Sequence, residues 1–284
     1  MSTGPVCLIT GCSSGIGRAT ALRLHQEGAR VVATARDPRT LADLAALGMT
    51  TLALDVTEAA SAEAAVAAAN ARHGGVDVLV NNAGYGLSGT FEETSLERVR
   101  DQFETNVFGV VRLTRLVLPG MRARGRGTVV NVSSIFGRYV APGGGYYAAT
   151  KHALEALSDA LRLETAGFGV RVAVVEPGPV HTPWGRTFLD HLPTGDPTSP
   201  YHRFHERTAA YYGALYEGTA RTLAARFALT PERVAQTIAR AALARRPRAR
   251  YPVGVLAAST VTLRRLVPDS VFDHAFVRRQ FPVP

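Results

Sequence analysis

From residue 6 to about residue 176, short β-branched apolar runs alternate with longer Ala/Leu/Arg segments of helical period. Few architectures accept that alternation: it predicts parallel strands joined by crossover helices. The strands are expected at Val6–Thr10, Arg30–Thr34, Thr51–Leu54, Val76–Val80, Gly127–Val132 and Val170–Val175. Helices are expected at about 16–28, 39–47, 58–72, 95–124 and 146–167, each with apolar residues three and four apart. The expected fold class is α/β: one doubly wound, Rossmann-type parallel sheet flanked by helices. In such a sheet, ligands bind beyond the C-terminal strand ends.

At 284 residues with 46% hydrophobic content, the chain can bury an ordinary core in a single domain. Residues 1–176 form the expected cofactor-binding and catalytic core. Residues 177–229 break the rhythm with prolines (Pro177 to Pro200) and with Trp184, Phe188, Tyr201, Phe204, Tyr211, Tyr212 and Tyr216. Such a stretch is expected to be a substrate lid. Residues 230–284 hold a helix opening at Thr230-Pro231-Glu232, then a last strand and an extension.

No apolar run reaches the ~18 residues that span a bilayer, and no basic region precedes the first apolar stretch, so a soluble, cytoplasmic protein is expected. Cys7 and Cys12 have no ligand partners at metal-binding spacing and read as reduced packing thiols. No metal is expected. The net charge of +9 admits nucleic acid, anionic lipid or anionic small molecules. No nucleic-acid module accompanies Arg245, Arg246, Arg248, Arg250, Arg264, Arg265, Arg278 and Arg279, which read as a solvated basic face, with peripheral contact to anionic lipid as its functional form.

Directly after the first strand comes Gly11-Cys12-Ser13-Ser14-Gly15-Ile16-Gly17, opening a helix. Gly11 allows the tight turn, Gly15 lets backbone approach a pyrophosphate, and Gly17 lets the helix pack close to the sheet. The helix N-terminus then offers free N–H groups to an anion. After the second strand stands Ala35-Arg36 where an acidic residue would select a ribose 2′-hydroxyl. Arg36 can clamp a 2′-phosphate with help from Ser13, which favours NADP(H), or it can pair with Asp37 at the surface.

Tyr147 and Lys151 lie four apart on one helix face, where an ammonium can lower the phenol pKa and fit it for acid–base work. Lys151 is the only lysine in the sequence; every other cationic side chain apart from histidine is arginine.

These motifs resemble the short-chain dehydrogenase/reductase family: Gly11-x-x-x-Gly15-x-Gly17, Asn81-Asn82-Ala83-Gly84, Asn106, Ser134, Tyr147-x-x-x-Lys151 and Pro177-Gly178 follow in its order over about residues 5–182. Ile9–Gly17, Ala33–Asp37 and Gly178–Thr182 look like its 17β-hydroxysteroid and retinol dehydrogenase branch. The resemblance implies catalysis by Asn106, Ser134, Tyr147 and Lys151. It implies cofactor contacts from Gly11, Ser13, Ser14, Gly15, Ile16, Gly17, Arg36, Asp55, Val56, Asn82, Ala83, Gly84, Tyr147, Lys151, Pro177, Gly178, Val180 and Thr182. Asp55 has a helix-capping alternative, and Ser134 a turn hydrogen bond. A homodimer or homotetramer is also implied.

Ser134, Tyr146, Tyr147 and Trp184 are the expected substrate contacts, with His181 beside them; the other histidines of 177–229 (191, 202 and 205) are expected to be exposed or to face substrate. Gly143-Gly144-Gly145 would leave room beside Tyr147 and the aromatics would offer apolar faces, which suits a bulky, mostly apolar ketone or secondary alcohol of polyketide, steroid or retinoid kind. The aromatics can instead serve only to pack the lid. The competing function readings are a dinucleotide-sensing protein without catalysis and the same enzyme acting on small carbonyls.

Overall fold

The computed structural model describes residues 4–192, 196–216 and 227–278. Parts of the expected lid (193–195 and 217–226) and the end of the extension, including Arg279, lie outside the described residues.

Seven parallel strands form one sheet in the order β3-β2-β1-β4-β5-β6-β7. They are β1 (Val6–Ile9), β2 (Arg30–Ala35), β3 (Thr50–Ala53), β4 (Val78–Asn81), β5 (Gly127–Val132), β6 (Val170–Pro177) and β7 (Arg250–Val253). The crossovers hold α1 (Gly15–Gln26), α2 (Ala42–Ala46), α3 (Ala59–His73), α4 (Leu96–Phe103), α5 (Gly109–Ala123) and α6 (Gly145–Thr165). After β6 come α7 (Trp184–Leu189), α8 (His202–Tyr216), α9 (Pro231–Leu243), α10 (Val255–Leu266) and α11 (Asp269–Phe272). Central strands β1, β4 and β5 are buried along their whole length, which is why they read as continuous apolar runs rather than alternating ones.

Two apolar clusters cover the two faces. One includes Ile9, Leu24, Val31, Val80 and Ile238 on the α1/α9 side; the other includes Leu8, Val66, Leu79, Leu113 and Val129 on the α3/α5 side. A third cluster, built from Phe136, Tyr139, Tyr147, Phe188, Tyr212 and Phe272, sits beyond the C-terminal strand ends.

Strand order reverses between β1 and β4, and side chains bolt the two strands together there. Thr10 Oγ1 accepts from the backbone N–H groups of Asn82 (2.9 Å) and Ala83 (2.8 Å), and Asn82 Nδ2 donates to the Thr10 carbonyl at 2.9 Å. One strand along, Asn81 Nδ2 donates to Asn131 Oδ1 at 2.9 Å across the β4–β5 pair. A crevice at such a switch point is where doubly wound sheets hold ligands.

One helix boundary differs from expectation. The helix expected at 95–124 divides into α4, a π-helical turn at Glu104–Phe108, and α5. Asn106 lies in that wide turn with its carboxamide committed to the backbone of Tyr85: Nδ2 donates to the Tyr85 carbonyl (2.9 Å) and Oδ1 accepts from its N–H (3.1 Å). At the C-terminal side, Thr230 caps α9, its hydroxyl accepting from Arg233 N–H with Pro231 in the first turn, as the sequence predicts.

Candidate active site

The cradle is built first by the β1–α1 turn. Ser14, the N-cap of α1, makes no side-chain cap bond, which leaves the first-turn N–H groups without a capping side chain, and Ser13, Ser14, Gly15 and Ile16 line the cavity. A β-carbon at Gly17 would collide with the Gly11 carbonyl oxygen and with Asn82 Nδ2. Gly17 therefore lets α1 seat against the turn without itself reaching the cavity.

The cavity, about 780 Å³, runs from that turn to the aromatic cluster. Its walls include Gly11, Arg36, Asp55, Val56, Asn82, Ala83, Gly84, Ser134, Tyr147, Lys151, Pro177, Gly178, Val180, Thr182 and Trp184, so nearly all expected residues meet in one place.

Arg36 is available to a ligand. Asp37, its expected surface partner, is taken by Arg39, whose Nε and Nη2 donate to the two carboxylate oxygens at 2.9 and 2.8 Å, and Arg36 makes no ion pair among the described residues. Asp55 Oδ1 accepts from the N–H (2.9 Å) and hydroxyl (2.7 Å) of Thr57. That turn holds its carboxylate at the cavity wall, so the local bond and the cavity position coexist. The cradle suits a dinucleotide phosphate: free helical N–H groups and an uncommitted guanidinium converge on one end.

At the other end Ser134 Oγ accepts from Phe136 N–H at 3.2 Å and lies close enough to Tyr147 to favour its ionised form. The expected turn bond of Ser134 is thus present together with its contact to Tyr147. Lys151 Nζ donates to the Val132 carbonyl at 3.0 Å and lies 5.7 Å from the centroid of the Tyr147 ring.

The electrostatics correct one expectation. Burial pushes the Tyr147 phenol up, with the Ser134 hydroxyl opposing, instead of the ammonium pulling it down. Burial likewise lowers Lys151 to about 8, with the Glu155 carboxylate opposing. In a low-dielectric site both charged forms are disfavoured, and desolvation outweighs the 5.7 Å attraction. Tyr147 is accordingly held as a phenol, the form that donates a proton.

Asn106 stays behind the wall. Its Nδ2 also donates to Thr150 Oγ1 at 3.2 Å, and a β-carbon on Gly84 would stand 2.9 Å from its Oδ1 and 3.9 Å from Lys151 Nζ. Tyr146 does not reach the cavity. It is half-buried outside the cavity, stacks on Phe91 with centroids 5.3 Å apart, and donates to the Phe91 carbonyl at 2.9 Å. One residue along a helix is a rotation of ~100°, which turns Tyr146 outward when Tyr147 points in. His181 is exposed and lines no part of the cavity, whereas His191 lines it. His205, expected exposed or facing substrate, is fully buried with Nε2 3.0 Å from Glu93 Oε2.

The glycines and aromatics also act differently from expectation. Gly143 adopts φ 76°, and a β-carbon there would press on Phe204 of α8 at 3.2 Å, so this glycine seats α8 rather than widening the space beside Tyr147. Trp184, Tyr211, Tyr212 and Tyr216 line the cavity, while Phe188 packs beneath them and Phe204 sits on Gly143. Tyr201 donates to Glu92 at 2.9 Å. Sequence reasoning missed Phe136, Tyr139, Leu256 and Thr260 in the wall. Leu256 and Thr260 belong to α10, in a stretch with weak periodic signal.

Known proteins bear on this arrangement. The short chain dehydrogenase family model matches residues 5–192. The uncharacterized oxidoreductase YbbO of Escherichia coli is 35% identical over 94% of this chain and 91% of its own. Retinol dehydrogenase 8 of Bos taurus is 39% identical over 86% of this chain and 81% of its own. A crystal structure of a short-chain dehydrogenase from Streptomyces avermitilis superposes with a TM-score of 0.80 at 34% identity, covering 98% of both chains.

Proposed function

The chain belongs to the short-chain dehydrogenase/reductase family, among relatives that include retinol dehydrogenase 8, and on that premise we propose that it is an NADP(H)-dependent reductase of bulky, mostly apolar ketones, or a dehydrogenase of the corresponding secondary alcohols. One observation carries this reading: Ser134, Tyr147 and Lys151 stand in a single cavity between a phosphate cradle with an uncommitted Arg36 and a wall of Trp184, Tyr139, Tyr211, Tyr212 and Tyr216.

When bound, the cofactor supplies the hydride that reaches the carbonyl carbon. Ser134 holds the substrate oxygen, and Tyr147, kept as a phenol by burial, gives that oxygen its proton; in oxidation it takes the proton back. Lys151, beside the tyrosine, would hold the nicotinamide ribose, and Thr182 would hold the carboxamide. Asn106 anchors the turn behind Gly84 and Lys151. The segment from α7 to α8 acts as a lid: Trp184 lies on Gly86, and Glu93 engages both Ser199 and His205.

No helix among the described residues is long and apolar enough to cross a membrane. The proposed enzyme is cytoplasmic and acts without nucleic acid. Phe108, Leu157 and Leu163 leave apolar surface exposed around α5 and α6, which supports a homodimer or homotetramer. The test is NADPH and NADH oxidation against steroid, retinoid, polyketide and small ketones. Fastest NADPH-linked turnover of multi-ring ketones supports the reading; a preference for small charged carbonyls overturns the substrate class, and no turnover of any ketone or alcohol overturns the activity.

A further inference from the structure

Outside the cavity, a buried group of charges joins four parts of the chain. Glu155 of α6 and Glu176 of β6 are 4% and 1% exposed, and neither lines the cavity. Arg250 of β7 donates from Nε to Glu155 Oε2 at 3.0 Å and from Nη1 and Nη2 to Asp159 at 3.1 and 2.6 Å. Arg138, just after the turn that follows β5, approaches Glu176 Oε1 at 3.3 Å and Glu155 Oε2 at 3.9 Å. Nothing in the reaction as described uses these residues, yet Tyr147, Lys151, Glu155 and Asp159 follow one another at four-residue spacing on one face of α6.

We propose that Glu155 is the counter-charge of Lys151, a positioning residue that acts through the lysine, and that Arg138 and Arg250 set how much of its negative charge the lysine feels. The proposal rests on the reading of Lys151 as the residue that works beside Tyr147.

The geometry supports a residual charge. Both arginines address Glu155 Oε2, whereas Oε1 is buried and has no hydrogen-bond partner. The nearby Ser133 Oγ is likewise buried without one; a β-carbon on Gly137 would stand 2.8 Å from it and 3.2 Å from Oε1. A carboxylate neutralised on one oxygen only, in a low-dielectric interior, projects a field over a helical turn.

The groups around Lys151 give it little other support. Tyr147 is neutral, Asn106 is an amide, and Val132 offers a single carbonyl. Burial has already brought the lysine to about 8, and Glu155 is what opposes that descent. The groups around Glu155 are Arg138, Arg250, Asp159 and Glu176, and Arg265 of α10 acts on Glu176 from a further element. Their competition decides how much charge reaches the lysine.

The sequence supplies an unusual handle. With a single lysine in the chain, lysine-selective 13Cε labelling gives one side-chain signal, and its pH titration reads Lys151 without any assay of activity. The wild-type midpoint should fall near pH 8. It should move down by about one pH unit in Glu155→Gln, hold its place in Glu155→Asp, and move up in Arg250→Gln, which releases the carboxylate from its main partner. A structural role alone would lower the melting temperature and leave the midpoint where it was.

An unmoved midpoint in Glu155→Gln overturns the proposal. If that variant does not fold, an unmoved or lowered midpoint in Arg250→Gln overturns it equally. In the same variants, the alkaline limb of kcat/KM should follow the NMR midpoint. If the midpoint moves as expected but no ketone is turned over, the electrostatic relationship stands and the enzymatic reading fails.

Discussion

The indole of Trp184 packs against the phenol ring of Tyr147, with ring centroids 5.2 Å apart and planes inclined at 57°. Trp184 in turn stacks on Phe188 at 5.4 Å and meets the edge of Tyr216 at 6.1 Å. The proposed lid thus touches the proposed proton donor itself. Trp184→Ala should remove a substrate-facing wall at some cost in packing, about 2 kcal/mol for a partly buried ring. KM for multi-ring ketones should rise about tenfold or more, equivalent to ~1.4 kcal/mol, with a smaller effect on kcat. Steady-state kinetics across ring sizes checks this; an equal rise for acetone-sized ketones would mean that the indole positions Tyr147 rather than substrate.

Because Asp37 is engaged by Arg39, the Arg36 guanidinium remains for a ligand phosphate. Arg36→Ala should weaken NADPH binding ten- to a hundredfold, the ~1.5–3 kcal/mol of one charged hydrogen-bonded contact, and leave NADH nearly unchanged. Titration of the protein with each cofactor measures the two affinities. Equal losses would remove Arg36 from the 2′-phosphate.

Tyr147→Phe deletes one hydroxyl and keeps the ring that packs on Phe136 and Trp184. Turnover should fall by at least about a hundredfold, the lower end of what a positioned acid contributes, while NADPH affinity stays within about threefold. Single-turnover kinetics beside cofactor binding separates the two. Near-normal turnover would require another acid.

Glu176 is raised to about 7, first by burial and then by Glu155, against an ordinary value of 4.5. The folded protein therefore holds this proton more tightly than the unfolded chain. The stability it contributes is complete below about pH 4.5 and is lost as pH rises to about 7. Glu176→Gln should remove that slope, so that the variant gains on the wild type by up to about 3 kcal/mol between pH 4.5 and 8. Denaturant melts at several pH values give the difference; a constant gap across that range would show that Glu176 stays ionised.

The strands of the core and the phosphate turn were legible because their signals are local: apolar runs of strand length and three glycines at a strand–helix junction. Lys151 was legible for a compositional reason, as the one lysine among arginines. The sign of the Tyr147 shift was not, because it depends on burial by α7 and α8 rather than on the neighbour four residues away. Arg250 and Glu155 are 95 residues apart and meet only once β7 has paired with β6. Leu256 and Thr260 reach the cavity by the same long-range route. The glycine triplet was read as open space, when at Gly143 its small size is filled by Phe204.

Cys7 and Cys12 are fully buried, one in β1 and one in the phosphate turn, and burial pushes both thiols up to about 12. With so little thiolate and no access, neither sulfur should react with alkylating reagents while the chain is folded. Their labelling then becomes a clock for opening of the first strand and its turn, the two pieces that must be in place before any dinucleotide can dock. The protein carries its own reporter of cofactor-site integrity, readable by mass spectrometry without a substrate or an introduced probe.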